Sequence, residues 1–288
     1  MIGTVLDDRY RVVQHLGAGA AGEVFLVDNL AADRREALKL LKTDEADRTL
    51  EGRFKREARA TQLLDHPSIV ATYDFGRLAD GRWYMTMEYV SGTPLDGLVH
   101  KRGPLPVPMV LGMLAQIGDA LHHAHERGVV HRDLKPHNMI HTKEGREAVK
   151  ILDFGMAKVL GKDFAESMIL SKSGDVFGTP AYMSPEQFQS QPPDPRSDIY
   201  AVGCIAFHLL VGEPPFTGKL TDLVIAHLKK PPRTPSAVDP GAGIPAELDQ
   251  LVLRCLDKAA DNRFQSGADL CAAAMQVPGY RTLGAPRP

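Results

Sequence analysis

The chain has 288 residues, 43% hydrophobic and 24% charged, so it can bury one large core or two modest ones. A formal net charge of −2 gives no general attraction to nucleic acid or to an anionic membrane, and neither is expected as a partner. The longest apolar run, residues 200–211, is shorter than the roughly 20 residues of a spanning helix, and no secretory signal is visible. We therefore expect a cytoplasmic location.

Three cysteines, Cys204, Cys255 and Cys271, show no CxxC spacing, and each lies in an apolar stretch of helical character. This pattern favours reduced thiols in a core over a disulfide or a metal site. It agrees with a reducing compartment.

Residues 10–90 show mostly an extended pattern, with apolar runs at 24–27 and 37–41. One helix is predicted in this part, over residues 48–64. From about residue 95 the chain is rich in helical periodicity and punctuated by proline, and helices are predicted over 111–127 and 198–210. The sequence therefore predicts an α+β protein with two lobes, a small β-rich lobe with one helix and a larger helical lobe.

A glycine-rich segment lies between two of the predicted strands. It reads Gly17, Ala18, Gly19, Ala20, Ala21, Gly22. This GxGxxG pattern is weak alone, because dinucleotide-binding folds also use it, there between a strand and a helix. Here the strand signal of residues 24–27 follows, so the segment is predicted to join two strands and to lie over phosphates as a flap. A hairpin turn that binds no ligand is the alternative.

The most informative segment is residues 131–138, His-Arg-Asp-Leu-Lys-Pro-His-Asn, followed by Asp153-Phe154-Gly155. It places an acid, bases and an amide at the spacing needed to hold two metal ions and a hydroxyl group around a phosphate. The two motifs resemble the catalytic loop and the metal-binding turn of the serine/threonine protein kinases. The sequence from Tyr10 to Met275 most resembles that of bacterial kinases of the eukaryotic (Hanks) type.

This resemblance implies a bilobal kinase fold and a transfer of phosphate from ATP. Asp133 would accept or orient the proton of a substrate hydroxyl, and Lys135 would place a positive charge against the γ-phosphate. Asn138 and Asp153 would bind Mg²⁺, with Mn²⁺ as an alternative, through oxygen ligands. Thr179, in Gly-Thr-Pro, would bond Asp133 and Lys135.

The resemblance also implies an ATP site between the lobes. Lys39 would reach the α- and β-phosphates, held there by Glu57 on the predicted helix. Backbone groups of Glu88 and Val90 would bind adenine, with Met87 behind them as gatekeeper. The remaining residues expected to contact the nucleotide lie along the glycine-rich strands and above and below the ring: Leu16, Gly17, Ala18, Gly19, Ala20, Ala21, Gly22, Glu23, Val24, Ala37 and Ile140.

Other residues match the structural supports of a kinase. Glu186 is expected to pair with Arg263, and Asp198 to anchor the backbone of the catalytic loop. His131 is expected to pack beneath Phe154. Six histidines between His122 and His141 could suggest a metal site instead. Adjacent histidines of a helix point to different faces, which disfavours that reading.

Regulation is expected to act through the segment after Gly155. Arg132, Lys158 and Arg53 would form a basic pocket for a phosphate, which would order this segment. Ser173 is predicted as the main autophosphorylation site and Ser171 as the second, with Ser167 also available; serines that only keep a loop polar are the alternative.

Two departures from the kinase pattern affect packing and substrate choice. Thr61 and Thr72 replace large apolar residues of the spine through the small lobe, so the predicted helix is expected to pack loosely. His137 stands where kinases that select upstream arginine often carry glutamate, so such selection is not expected.

The expected domain organisation is an extension (1–9), a kinase domain (10–277, with lobes at 10–90 and 91–277) and a flexible tail or linker (278–288). Protein substrates are the expected partners, and the resemblance allows a homodimer that phosphorylates itself in trans. The chain could be the cytoplasmic domain of a longer membrane-anchored protein.

The alternative function is that of a catalytically silent pseudokinase that acts as a scaffold. A nicotinamide dehydrogenase is disfavoured because no helix signal follows the glycines. A small-molecule kinase is disfavoured because residues 178–186 resemble a protein-substrate platform.

Overall fold

The computed structural model describes residues 1–19, 22–41, 58–142, 148–154 and 180–281. They form two lobes, as the α+β expectation required. The smaller lobe is an antiparallel sheet in the order β1-β2-β3-β4-β6-β5. Its strands are β1 (Val5–Leu6), β2 (Tyr10–Gly19), β3 (Gly22–Asn29), β4 (Arg34–Leu41), β5 (Thr72–Arg77) and β6 (Trp83–Glu88).

The alternation of side chains along β4 divides the small lobe into two apolar clusters. Leu38 and Leu40 belong to a cluster with Tyr10 on one side of the sheet. Ala37 and Leu41 belong to the cluster on the other side, together with Met87. Because side chains alternate with a period of two, Lys39 shares the side of Ala37 and Leu41. The same strand thus supplies a core and directs one lysine towards the space between the lobes.

The larger lobe is mostly helical. Its helices are α1 (Leu95–Arg102), α2 (Val107–Glu126), α3 (Pro185–Phe188), α4 (Pro195–Val211), α5 (Leu220–Lys229), α6 (Pro235–Val238), α7 (Ala246–Cys255) and α8 (Gly267–Gln276). A small sheet, β7 (Thr93–Pro94), β8 (Met139–Thr142) and β9 (Ala148–Ile151), lies at the boundary between the lobes. Cys204 and Cys255 are buried in the core of this lobe.

The two long helices of the larger lobe begin earlier than the sequence predicted. α2 begins at Val107 instead of residue 111, and α4 begins at Pro195 instead of residue 198. In α4 the side chain of Asp194 caps the first turn, and Gly212 ends the helix with a positive φ of 94°. Proline in the first turn is compatible with a helix because its missing N–H needs no partner there. Both helices carry a proline in the first turn, and apolar periodicity alone does not identify it as part of the helix.

Close helix packing depends on two glycines. A Cβ on Gly118 of α2 would lie 2.8 Å from the carbonyl oxygen of Gly267, and a Cβ on Gly267 would lie 2.3 Å from that of Gly118. Any side chain at either position would force α2 and α8 apart. Among the described residues, no helix is long and apolar enough to cross a membrane.

Candidate active site

The glycine-rich segment joins two antiparallel strands. β2 ends at Gly19 and β3 begins at Gly22, with Gly17 opposite Val24 and Ala18 opposite Glu23. This confirms the strand-to-strand prediction and contradicts the strand-to-helix arrangement of a dinucleotide-binding fold. At Gly22 a Cβ would lie 1.9 Å from the carbonyl oxygen of Leu40, so only glycine fits. Leu16 is 38% exposed on β2, and Ala20 and Ala21 lie outside the described residues.

Most of the apolar residues expected around a nucleotide base come together. Val24, Ala37, Met87 and Val90 belong to one cluster. Leu152, which the sequence analysis did not single out, packs against the same cluster. Its position directly before Asp153 was the available signal. Ile140 lies on β8 opposite Pro94 and Lys150, outside this cluster.

The segment that connects the lobes is fixed by backbone bonds. The N–H of Glu88 donates to the carbonyl of Ala71 at 2.9 Å. Because this N–H is used, the carbonyl is the backbone group of Glu88 that can serve an adenine ring. The sequence by itself does not distinguish between the N–H and the carbonyl of Glu88.

Lys39 lies 2.6 Å from Oδ2 of Asp153, although 114 residues separate them. The side chain of Lys39 is 7% exposed and that of Asp153 is 26% exposed. Burial alone would raise the pKa of Asp153, but the charge and hydrogen bond of Lys39 bring it below its usual value. A carboxylate that stays ionised therefore faces the cleft. Glu57, the predicted partner of Lys39, lies outside the described residues.

The catalytic loop is held by Asp198 from below. Its carboxylate accepts the N–H groups of His131 and Arg132 at 2.9 Å each, and the ring of His125 at 2.8 Å. Arg132 has a positive φ of 70°, a strained conformation for a residue with a side chain. The predicted anchoring role of Asp198 is confirmed, and the two backbone bonds explain how the loop keeps this turn.

Above this anchor the polar side chains converge on Asp133. Lys135 Nζ donates to Oδ2 of Asp133 at 2.8 Å, and Asn138 Nδ2 donates to the carbonyl of Asp133 at 2.9 Å. The other carboxylate oxygen of Asp133, Oδ1, is buried and has no hydrogen-bond partner among the described residues. A buried acceptor without a partner is costly. The site therefore favours a donor such as a hydroxyl group at this atom.

His131 and Phe154 connect the loop to the metal-binding turn. Their ring centroids lie 4.8 Å apart, with Phe154 buried, as predicted. His131 Nε2 lies 2.7 Å from the carbonyl of Leu152, and the N–H of Asp133 points to its Nδ1. Nε2 thus donates and Nδ1 accepts, which corresponds to a neutral ring.

Comparison with known proteins decides the family. The protein kinase domain family matches residues 10–277. The chain belongs to the protein kinase family. It is 37% identical over 287 residues to the serine/threonine-protein kinase PknB of Mycobacterium leprae, covering 98% of this chain and 45% of that protein.

Two further relatives agree with this assignment. The chain is 35% identical to the serine/threonine-protein kinase PrkC of Bacillus subtilis, over 94% of this chain and 40% of that protein. The crystal structure of the Mycobacterium tuberculosis PknI kinase domain superposes with a TM-score of 0.73 and 30% identity, covering 95% of this chain and 97% of that one. The chain thus spans less than half the length of the curated relatives it matches.

The structural supports of the kinase lie where the resemblance placed them. Arg263 is fully buried and binds both carboxylate oxygens of Glu186, at 2.8 and 3.0 Å. Burial alone would raise the pKa of Glu186, but hydrogen bonds from Arg263 and Ser197 lower it to about 2. Gln187, which the sequence analysis missed, donates to the carbonyl of Arg132 at 2.8 Å and ties this region to the catalytic loop.

Thr61 and Thr72, the two threonines expected at the spine of the small lobe, lie close to Phe154. Thr61 and Thr72 line a small cavity with Phe154, Met85 and Met87. The hydroxyl of Thr61 donates to the carbonyl of Ala58 at 2.8 Å. The two threonines therefore put hydroxyl groups beside Phe154, where large apolar side chains would make apolar contacts.

A carboxylate that the sequence analysis overlooked lies beside His137. Asp96, in the first turn of α1, has Oδ2 3.2 Å from His137 Nδ1. This hydrogen bond raises the pKa of His137 and lowers that of Asp96. Helix α1 is distant in sequence from the catalytic loop, so no motif signals the pair.

Several predicted residues fall outside the described part of the chain. Besides Glu57, Ala20 and Ala21, these are Arg53, Gly155, Lys158, Ser167, Ser171, Ser173 and Thr179. Their roles stay predictions.

Proposed function

We propose that this chain is an ATP- and Mg²⁺-dependent serine/threonine protein kinase, with residues 10–277 as its catalytic domain. The convergence of Lys135 and Asn138 on Asp133, with Lys39 and Asp153 across the cleft, is the observation that carries the proposal. These residues combine a base, cations and oxygen ligands in the arrangement that phosphoryl transfer needs.

The residues present suit a divalent cation and a nucleotide. Asn138 uses its Nδ2 group on Asp133, so its amide oxygen is the atom available to a cation. Asp153 keeps its charge, because Lys39 lowers its pKa. A carbonyl and a carboxylate are the ligands that Mg²⁺ prefers. When bound, the cation neutralises phosphate charge; Mn²⁺ would use the same ligands.

The protein's own residues supply positioning and electrostatics. Asp133 Oδ1, buried and without a partner among the described residues, would accept the hydrogen bond of a serine or threonine hydroxyl and later its proton. Lys135 holds the other oxygen of Asp133 and adds positive charge where phosphate charge develops. Lys39 would grip the α- and β-phosphates, with Glu57 as its second partner, and Thr179 would bond Asp133 and Lys135.

The adenine ring of the nucleotide would lie between the two lobes. Val24, Ala37 and Leu152 would line its faces, with Ile140 beneath, while the Glu88 carbonyl and the Val90 N–H would bond its edge. The residues from Leu16 to Glu23 would cover the phosphates as a flap. The chain's substrates would be proteins, and regulation would act by autophosphorylation of Ser173 and Ser171 in trans, within a homodimer, with Arg132, Lys158 and Arg53 as the phosphate pocket.

The experiment starts from dephosphorylated protein. It is incubated with ATP and Mg²⁺, and new phosphates are mapped by mass spectrometry, beside the matched Asp133→Asn variant. Phosphate on serine or threonine in the wild type alone supports the proposal, since the variant removes only the base. Nucleotide binding without any transfer, even with a generic protein substrate and Mn²⁺, would instead support a scaffolding pseudokinase.

The phosphorylation sites need a separate comparison. Ser171→Ala combined with Ser173→Ala is expected to leave the unphosphorylated basal rate unchanged and to abolish activation by preincubation with ATP. Ser167→Ala serves as the control within the same segment. Activation that survives the double substitution would contradict the assignment of these two serines.

A further inference from the structure

Lys150 has no role in the catalytic motifs, yet it makes an ion pair at the connection between the lobes. It lies on β9, and its Nζ is 2.8 Å from Oε2 of Glu88, the last residue of β6. The two side chains are 18% and 28% exposed. The pair is thus partly withdrawn from water, where charge interactions are stronger than on an open surface.

Glu88 needs this cation because a second acid lies opposite it. In the pairing of β4 with β6, Glu36 stands across from Glu88. Glu36 is fully buried and its Oε1 is bound by Asn29 and Arg34, but its Oε2 has no partner among the described residues. Like charges on opposing strand positions destabilise a sheet. Lys150 places a positive charge from the larger lobe beside this acidic pair.

The pKa of Tyr73 is affected by the negative charges of the same two acids, Glu36 and Glu88. Burial raises the pKa of Tyr73, Arg34 opposes this, and Glu88 and Glu36 raise it further. The guanidinium carbon of Arg34 lies 3.6 Å from the centre of that ring. Arg34, in the small lobe, therefore neutralises Glu36, while Lys150, in the large lobe, neutralises Glu88.

Among the described residues, the ion pair joins β9 directly to the connecting segment, and two backbone bonds join β9 to residues 68–70, which precede β5. Ile151 accepts the N–H of Val70 at 3.0 Å and donates to the carbonyl of Ser68 at 2.9 Å. The adjacent Ala71 is bound to Glu88 twice, through its carbonyl and through its N–H to the Glu88 carboxylate at 3.3 Å. Of these contacts, the Lys150 link runs through a side chain that can be exchanged while the backbone bonds stay in place.

Position along β9 connects these links to the cleft. After Ile151 come Leu152, whose N–H donates to the carbonyl of Asn138 at 2.9 Å, and then Asp153. A shift of the connecting segment relative to β9 would therefore separate the group that meets the base from the groups that meet the phosphates.

We propose that Lys150 is a positioning residue for nucleotide binding: its pair with Glu88 holds the connecting segment against β9, so that the Glu88 carbonyl and Asp153 can contact one nucleotide at the same time. The inference rests on the proposed function for the identity of the nucleotide. Because Lys150 touches neither the base nor the phosphates in this role, its loss acts on affinity more than on the chemical step.

The test uses the whole chain and five variants, the fifth of which combines Glu88→Gln with Lys150→Met. Lys150→Met removes the charge and keeps the stem, Lys150→Arg keeps the charge, and Glu88→Gln removes the partner's charge while retaining an acceptor for Ala71. The control is Lys230→Met, an exposed lysine of the larger lobe. For each protein the Kd of MgATP is measured by calorimetry, hydrogen exchange of residues 84–92 is followed without nucleotide, and phosphoryl transfer is assayed separately.

Lys150→Met is expected to weaken MgATP binding about fivefold and to speed exchange of the 84–92 amides by a similar factor. kcat is expected to change less than twofold, and Lys150→Arg is expected to restore most of the affinity. Glu88→Gln with Lys150→Met should weaken binding no more than either change alone, because both break one contact.

Other outcomes overturn the inference. An unchanged Kd in Lys150→Met, or equal losses in Lys230→Met, would show that the pair does not position the nucleotide, even if exchange increases. If the wild type binds MgATP but transfers no phosphate, while Lys150→Met still binds less tightly, the proposed function fails and the positioning role stands. If the wild type transfers phosphate and Lys150→Met matches it throughout, the reverse holds. If the wild type binds no MgATP, both fail.

Discussion

Two ion pairs of this molecule have the same length but different surroundings. Arg263 with Glu186 and Lys135 with Asp133 are both separated by 2.8 Å. In the first pair the side chains are 0% and 14% exposed, and Arg263 also donates to the carbonyls of Asp257, Arg196 and Lys258. In the second they are 20% and 32% exposed, and Asp133 Oδ1 has no partner among the described residues.

The difference shows how one type of contact serves two purposes. The Arg263 pair satisfies its polar atoms with protein groups, so it fixes the larger lobe and has little to offer a ligand. Among the described residues, the Asp133 pair leaves one carboxylate oxygen without a partner. Buried and satisfied charges stabilise one conformation, whereas incompletely satisfied charges are prepared for a substrate.

The largest expected effect on stability comes from breaking the buried pair of Arg263 with Glu186. Arg263→Met removes the cation and leaves Glu186 as an uncompensated charge, so the free energy of unfolding is expected to fall by about 3–5 kcal/mol. Urea denaturation followed by circular dichroism measures this loss. Replacing both partners, as Arg263→Met with Glu186→Leu, should recover part of it. A loss below about 1 kcal/mol for the single variant would contradict a structural role.

Acid should weaken the same pair in the wild type. The pKa of Glu186 falls from 4.5 to about 2 in the folded protein. A depressed carboxylate pKa contributes stability above the unfolded value, which is lost as pH falls through the folded one. The shift corresponds to about 3 kcal/mol, lost between about pH 4.5 and 2. Denaturation midpoints across this range test it, and in Arg263→Met this contribution should be largely absent.

Breaking the less buried pair, Lys135 with Asp133, should affect activity much more than stability. Lys135→Met is expected to change the free energy of unfolding by less than about 1 kcal/mol, since the pair is partly solvated. Phosphoryl-transfer activity is expected to fall about 100-fold, because a charge is lost where phosphate charge develops. Parallel denaturation and kinase assays measure both quantities. A loss of stability as large as that of Arg263→Met would remove the distinction between the two pairs.

The smallest expected effect concerns the threonines beside Phe154. Thr61 donates its hydroxyl to Ala58, so Thr61→Val should cost about 1 kcal/mol by removing that bond. Thr72 shows no such bond among the described residues, and Thr72→Val should stabilise the protein by a similar amount, about 1 kcal/mol, through apolar contact in the cavity. Thermal unfolding of the two matched variants compares them. Changes of the same sign would refute the assigned difference in hydroxyl bonding.

The sequence alone predicted the family, the lobe order and the identity of the central groups. Residues 131–138 and 153–154 are contiguous motifs, in which spacing fixes which residue types can meet a phosphate. The apolar run of residues 37–41 also predicts the strand that carries Lys39. Local patterns of this kind depend on short-range geometry, which the backbone itself dictates.

Only the tertiary structure decided how distant residues combine. Elements far apart in sequence are joined by the bond of Lys39 to Asp153, by the Asp96–His137 and Glu88–Lys150 pairs, and by the packing of Leu152 against the cluster that contains Ala37 and Met87. Asp96, Lys150 and Leu152, taken alone, have the appearance of ordinary charged or core residues. Their contacts depend on how the lobes and sheets pack, because a side chain gains its partner, its burial and its pKa only when the chain has closed around it.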